Sequence, residues 1–158
     1  MDKSTFVQGA TQETMGLDLG DRENRYCIVN AEGNVLDEGQ VVATQRGLEK
    51  LLSGRQSTLV AIEAGTHSAW VSRVVKKLGH SVLVANPRKL RLIYQNTRKS
   101  DRVDAEYLAR LARLDPKLLG PIQHRGPEAQ ADLSLLRSRD ALVAARTQLI
   151  NRVRGVVK

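Results

Sequence analysis

Two carboxylates three residues apart, Asp101 and Asp104, lie in a strongly helix-forming stretch of the sequence. Residues at positions i and i+3 share one helix face, and here both acids extend the apolar stripe that contains Leu108. Carboxylates that point into a domain need a partner, and a divalent cation is one. The alternative is a capping turn, in which Ser100 caps the helix and the two acids favour its dipole.

Two further carboxylates occupy strand ends. Asp18 lies between Leu17 and Leu19, so alternation places its side chain on the face opposite both leucines. Glu63 directly follows the apolar run 58–62, which is typical of a buried parallel strand. The carboxyl end of a central strand is the ligand position of an open α/β sheet. The alternative for Asp18 is a structural acid at a strand end.

These four acids together suit metal-dependent phosphodiester chemistry. The acidic tetrad is Asp18, Glu63, Asp101 and Asp104. Two divalent ions about 3.5–4 Å apart activate an attacking oxygen and stabilise the leaving one. Hard oxygen ligands favour Mg²⁺ or Mn²⁺, and two such ions balance four carboxylates. Zinc is not expected, because the sequence has one cysteine and its three histidines lack ligand spacing. One of them, His67, follows Glu63 closely enough to be considered as a substrate contact.

The elements that carry these acids follow a recognisable order. The pattern predicts three strands within 15–42, a helix over 45–52, a strand over 58–62, a helix over 68–78 with Ser68 as its cap, and a strand over 81–85. A further helix carries the last two acids. This order matches an α/β, ribonuclease-H-like mixed sheet of three antiparallel and then two parallel strands flanked by helices. In that fold, acids on the first strand, the fourth strand and a later helix meet at one edge.

Charge is unevenly distributed along the 158 residues. Residues 1–85 hold 9 Lys/Arg against 10 Asp/Glu, whereas residues 86–158 hold 16 against 7. A near-neutral half followed by a basic, helical half indicates a scaffold and a polyanion-binding surface. No apolar run approaches the length of a membrane span, so we expect a soluble, intracellular protein with no membrane partner.

We predict four segments: a loose arm over 1–13, the α/β domain over 14–115, a connector over 116–126 and a long basic helix over 127–158. In the final helix, apolar residues recur every seven positions, which predicts pairing with a second copy in a homo-oligomer. The first of these rows contains Leu135, Leu142, Leu149 and Val156. Packing of the helix back onto its own domain is the alternative.

Basic residues also surround the acidic pair in the sequence. Such residues can hold phosphates on either side of the metals, or they form an ordinary solvated surface. The candidate nucleic-acid contacts are Arg88, Lys89, Arg91, Arg98, Lys99 and Arg102.

Four motifs in order carry a family resemblance. They are Gly-Leu-Asp-Leu-Gly at 16–20, Ile-Glu-Ala-Gly at 62–65, Val-Ala-Asn-Pro at 84–87 and Lys-Ser-Asp-Arg-Val-Asp-Ala at 99–105. In this order they resemble the DEDD transposases of the insertion sequence 110 family, which are related to Piv-type DNA invertases and have a RuvC-like N-terminal domain. The resemblance covers about residues 14–114 and is most distinctive in the last motif.

The resemblance implies that the acidic tetrad is catalytic and binds Mg²⁺, and that the partners are donor and target DNA and a structured guide RNA from the element itself. It also implies a cytoplasmic bacterial protein associated with the nucleoid. Family members continue into a second domain whose serine is proposed to join the acids in strand exchange. This chain ends at Lys158, so we expect complete recombination to belong to a longer protein.

Two other function classes compete with this one. The first is a nucleic-acid-binding or oligomerisation module whose acids are inactive. The second is an actin-like or sugar-kinase-like ATPase, whose first phosphate loop also resembles residues 16–20. That class needs a second related domain and has no use for an inward pair such as Asp101 and Asp104.

Overall fold

A five-stranded mixed sheet forms the centre of the protein, with the strand order β3-β2-β1-β4-β5. The computed structural model describes residues 13–93 and 101–157, without the side chains of 91–93, 101–103 and 127. The strands are β1 (Glu13–Asp18), β2 (Glu23–Asn30), β3 (Val35–Val42), β4 (Leu59–Glu63) and β5 (Ser81–Ala85). The first three are antiparallel, while β4 runs parallel to both β1 and β5.

Two helices cover one face of the sheet, α1 (Gln45–Leu52) and α2 (Ser68–Lys77). Alternate residues of β1, including Met15 and Leu17, pack there against Leu48 of α1 and Val71 of α2. Thr44 caps α1 by accepting a hydrogen bond from the Gly47 amide. The predicted cap of α2 was wrong by one residue: His67 holds the cap position, because the Ser68 hydroxyl turns back to the Gly65 carbonyl.

The opposite face of the sheet is covered by α4 (Asp101–Leu114), which follows α3 (Pro87–Ile93) in the chain. Small residues of α4 allow a close approach: Ala105 and Ala109 pack with Cys27 and Val29 of β2. Further along the helix, Leu108 packs with Ala61 and Leu83 of the parallel strands. The parallel strands β4 and β5 are therefore covered on both faces, which explains their continuous apolar runs.

The stretch expected to be a connector contains a 3-10 helix (Pro116–Leu119) with Leu119 fully buried. After it, the Ile122 amide donates to the Val84 carbonyl at 2.9 Å, which covers part of the free edge of β5. The chain divides into two compact units, 1–123 and 124–158. The second contains α5 (Pro127–Val156), a helix of 30 residues.

The predicted fold is confirmed. Three antiparallel strands are followed by two parallel strands with intervening helices, as in the ribonuclease-H-like topology. A long helix, α5, follows this domain in the chain. The predicted strand and helix bounds agree with the observed ones to within a few residues, and the helix over 45–52 agrees at both ends. Within the described residues, no helix combines the length and the apolar character needed to cross a membrane.

Candidate metal centre

Asp18 and Glu63 are the last residues of two neighbouring parallel strands, β1 and β4. The ladder between these strands pairs Leu17 with Ile62. The next residue of each strand is one of the two acids, so both acids lie at the same end of the sheet. Asp18 shares its strand face with Gly16, and Glu63 shares its face with Ala61. A Cβ at Gly16 would meet α4, and Ala61 packs in the cluster that contains Leu108 of α4. Both acids therefore lie on the face that α4 covers.

The direction of α4 is fixed by two arginines near its end. Arg110 Nη1 donates to the Gly33 carbonyl at 2.7 Å, and Arg113 Nη1 donates to the Ala31 carbonyl at 2.6 Å. These carbonyls belong to the turn between β2 and β3, which lies beyond the Glu13 end of β1. Helix α4 thus runs antiparallel to β1, and its N-terminal end lies toward the end of the sheet that carries Asp18.

The last two acids lie in the first turn of α4. Asp104 directly precedes Ala105, which contacts β1 at Gly16, and its side chain is half-buried. Asp101 is the first residue of the helix, one turn before Ala105, and its side chain lies outside what the structure describes. The predicted cap Ser100 lies outside the described residues as well. The backbone therefore brings all four positions of the acidic tetrad toward one end of the sheet.

The donor set at this end of the sheet is made of carboxylate oxygens, which fits Mg²⁺ or Mn²⁺. Among the side chains that the structure describes, no three His, Cys, Asp or Glu residues form a group that could hold a metal ion. Cys27 is buried beneath α4. His80 is buried elsewhere and accepts a hydrogen bond from the Thr58 amide. Neither residue is placed to join the tetrad.

Two of the predicted nucleic-acid contacts are described with their side chains. Arg88 and Lys89 are exposed in the first turn of α3, which begins just after β5. Because Ala85 pairs with Glu63, this turn starts at the same end of the sheet as the acids. Asn86 orders the turn by accepting from the Arg88 amide at 3.0 Å. Of the others, Arg91 and Arg102 lie in helices without described side chains, and Arg98 and Lys99 lie outside the described residues.

The predicted oligomerisation row on α5 is strongly exposed. Leu135 and Leu142 are each 72% exposed, Leu149 is 65% exposed and Val156 is 81% exposed. The neighbouring row of the seven-residue recurrence, which includes Val143 and Ile150, is also exposed.

Sequence reasoning did not single out Asp21. His67 Nε2 lies 3.0 Å from Asp21 Oδ1, and Trp70 Nε1 donates to His67 Nδ1 at 3.4 Å. The partners are 46 residues apart, so periodicity carries no signal for this contact. The signal that the sequence does offer is proximity to the acids, because Asp21 follows Asp18 and His67 follows Glu63 within a few residues.

A family model described as "Transposase", for DEDD transposases of the IS110 type, matches residues 15–158. A probable family 20 transposase of Pseudomonas aeruginosa is 35% identical over 143 residues, which is 90% of this chain and 41% of that protein. The transposase for insertion sequence element IS1328 of Yersinia enterocolitica is 28% identical, over 88% of this chain and 40% of that protein. The transposase for element IS1111A of Coxiella burnetii is 26% identical, over 91% of this chain and 38% of that protein.

This chain therefore spans about two fifths of the length of these three relatives. Among solved structures, Thermus thermophilus RuvC in complex with a Holliday junction substrate is 14% identical, with a TM-score of 0.49 over 66% of this chain and 97% of that one. The ribonuclease-H-like topology is established by the strand order itself.

Proposed function

This chain belongs to the IS110-type DEDD transposase family, and we propose that its acidic tetrad binds two divalent metal ions for cleavage and transfer of DNA strands. One observation carries the proposal: Asp18 and Glu63 end adjacent parallel strands on the face covered by α4, whose first turn holds Asp101 and Asp104. That convergence gives a reason for two acids to extend the apolar stripe of α4, where a carboxylate removed from water without a counter-charge would be costly.

Each element has a defined task in this proposal. The ends of β1 and β4 hold Asp18 and Glu63 at the spacing of neighbouring strands, about 4.8 Å. The contact of α4 with Gly16 sets how far Asp104 stands from the sheet. When bound, Mg²⁺ or Mn²⁺ supplies charge stabilisation for the attacking and leaving oxygens of a phosphodiester. The four carboxylates would hold the ions at this end of the sheet.

DNA is the proposed substrate, and exposed cations beside the acids support it. Arg88 and Lys89 extend from the first turn of α3 at the end of the sheet where β4 and β5 end. Phosphate contacts of this kind position a strand without reading its sequence. Arg91, Arg98, Lys99 and Arg102 complete the proposed contact set, with Arg102 following Asp101 directly.

A homo-oligomer is proposed through α5. The exposed apolar rows of this helix recur every seven residues over more than 20 residues, which is the pattern of a helix that pairs with a second helix. A structured guide RNA is a further proposed partner, supported by the family resemblance and by the basic character of residues 86–158. Complete strand exchange is proposed for the longer protein that the curated relatives represent.

The proposal is tested by Mn²⁺ titration calorimetry on wild type, Glu63→Gln and Glu32→Gln. Both glutamates are exposed, but Glu32 lies in the turn between β2 and β3, at the opposite end of the sheet. We expect Glu63→Gln to lower the Mn²⁺ affinity by at least about tenfold, because a neutral amide replaces a negatively charged oxygen ligand, while Glu32→Gln binds like wild type. Equal affinities of all three proteins would favour the alternative, a nucleic-acid-binding module with inactive acids.

A further inference from the structure

A pair of hydrogen bonds joins the two loops that leave the acid-bearing strands. His67 lies four residues after Glu63, and Asp21 lies three residues after Asp18. His67 Nε2 is 3.0 Å from Asp21 Oδ1, and Trp70 Nε1 donates to His67 Nδ1 at 3.4 Å. We call these two hydrogen bonds the His67 bridge.

The donors and acceptors of the bridge determine where the imidazole proton lies. An indole N–H only donates, so Nδ1 of His67 must accept from Trp70 and carries no proton. The proton of the neutral ring is then on Nε2, which donates it to the Asp21 carboxylate. Trp70 therefore selects the one neutral tautomer that can bind Asp21.

Each loop is also held by hydrogen bonds other than the bridge. The Gly20 amide donates to Asn24 Oδ1 at 3.2 Å, and Asn24 is 1% exposed, so the turn that carries Asp21 is anchored in the core. In the other loop, the fully buried Ser68 accepts from the Gly65 amide at 3.0 Å. A bond between two anchored loops transmits a change at either end to both strand ends.

The His67 bridge lies just beyond the two acids along the strands. The backbone ladder between β1 and β4 reaches Leu17 and Ile62, so Asp18 and Glu63 lie between that last pair and the Asp21–His67 hydrogen bond. The two acids are thus bracketed by backbone pairing on the inner side and by a side-chain link on the outer side. A bracket of this kind limits how far the two strand ends can separate.

We propose that His67 is a positioning residue, which with Asp21 fixes the separation of Asp18 and Glu63 for the metal ions. This inference rests on the proposed metal site. Because four carboxylates repel one another when no cation is bound, the strand ends need a restraint that acts before the ions arrive. Groups that orient ligands in this way tune metal affinity without touching the metal.

Mn²⁺ titration of His67→Ala, Asp21→Ala and the double variant tests the proposal, with Thr66→Ala as the control in the same exposed loop. We expect each single variant to weaken Mn²⁺ binding by about 3- to 10-fold, below the full range for buried ligand-orienting groups because Asp21 is largely exposed. The double variant should lose no more than a single one, since both remove the same bond. His67→Gln keeps a donor near the position of Nε2 and should restore most of the affinity.

Nitrogen-15 NMR of the His67 ring supplies a readout that does not depend on metal. We expect the Nε2–H tautomer in the wild type and a smaller fraction of it in Trp70→Phe, which loses the N–H donor to Nδ1 while Asp21 still accepts from Nε2. A predominant Nδ1–H tautomer in the wild type would overturn the bridge itself.

The outcomes separate the two proposals. If Glu63→Gln loses Mn²⁺ while His67→Ala and Asp21→Ala bind it like wild type, the metal site stands and the positioning role is overturned. Additive losses in the double variant would also overturn that role, because the residues would then act independently. If the wild type binds no Mn²⁺, the metal site fails and the positioning role fails with it.

Discussion

Gly16→Ala is expected to lift α4 away from the sheet and to disturb the acidic tetrad. A Cβ at Gly16 would lie 2.5 Å from the Ala109 amide nitrogen and closer still to the Ala105 carbonyl oxygen. Both contacts are with backbone atoms, so no side-chain rotation can relieve them. The helix must therefore retreat by about 1.5 Å to restore ordinary van der Waals separations.

This retreat has two measurable consequences. Overpacking of this kind costs about 1–3 kcal/mol, and each kcal/mol lowers the melting temperature by about 2–4 °C in a domain of this size. Asp104 directly precedes Ala105, so it moves with the helix relative to Asp18 and Glu63. Metal ligands tolerate displacements of only about 0.2 Å, so the Mn²⁺ affinity should fall by at least about tenfold. Thermal unfolding and Mn²⁺ titration measure the two effects.

Gly155→Ala is the matched control, since a Cβ there meets nothing within 4 Å. It should leave Mn²⁺ binding unchanged and raise the stability slightly, because alanine is the better helix former. If Gly16→Ala melts like wild type and binds Mn²⁺ equally well, α4 does not seat on β1 at Gly16, and the reasoning from helix to site is refuted.

Three further perturbations test other parts of the protein. Leu142→Glu places a charge in the exposed row of α5 and should convert the proposed oligomer to a monomer in sedimentation velocity; an unchanged mass would exclude α5 as the interface. Replacing Arg88 and Lys89 together by alanine should reduce the slope of log affinity for DNA against log salt by about 2, whereas an unchanged slope would remove both from the phosphate contacts. Burial, with the Asp37 charge and hydrogen bond, raises the pKa of Tyr26 above 10.0. The neutral phenol is therefore favoured in the folded state. Its contribution to the free energy of unfolding is fully present below pH 10 and is lost as the pH rises through the pKa of the folded state. Tyr26→Phe should therefore flatten the decline in the free energy of unfolding above pH 10.

The fold was accessible from the sequence because its signals are local. The apolar runs before Glu63 and Asn86 marked two buried parallel strands, and β5 was predicted with its observed bounds. Glycine and asparagine turns separated the first three strands, and Gly79, at a φ of 86°, ended α2 where the sequence indicated. Each of these features depends on neighbouring residues, which a single sequence contains in full.

The site was accessible only as a set of positions. The alternation of side chains along the strand predicted the sheet face on which Asp18 lies. Gly16 shares that face, and a Cβ at Gly16 would meet α4, which agrees with the prediction. The seating of α4 at Gly16 and the link between Asp21 and His67 join residues far apart in sequence, so no period or motif could predict them. The burial of Leu119 was missed for the same reason, because Leu119 packs with Ala61 and Leu83, which are far from it in the sequence.

The sharing of metal ions by four carboxylates from β1, β4 and α4, at one end of the sheet, is the proposal on which the others depend. Anomalous diffraction from crystals of this chain soaked in Mn²⁺ is its decisive test. We expect peaks within about 2.0–2.2 Å of oxygens from Asp18, Glu63, Asp101 and Asp104. Peaks bound elsewhere, or carboxylates directed to separate surfaces with no shared ion, would contradict the claim.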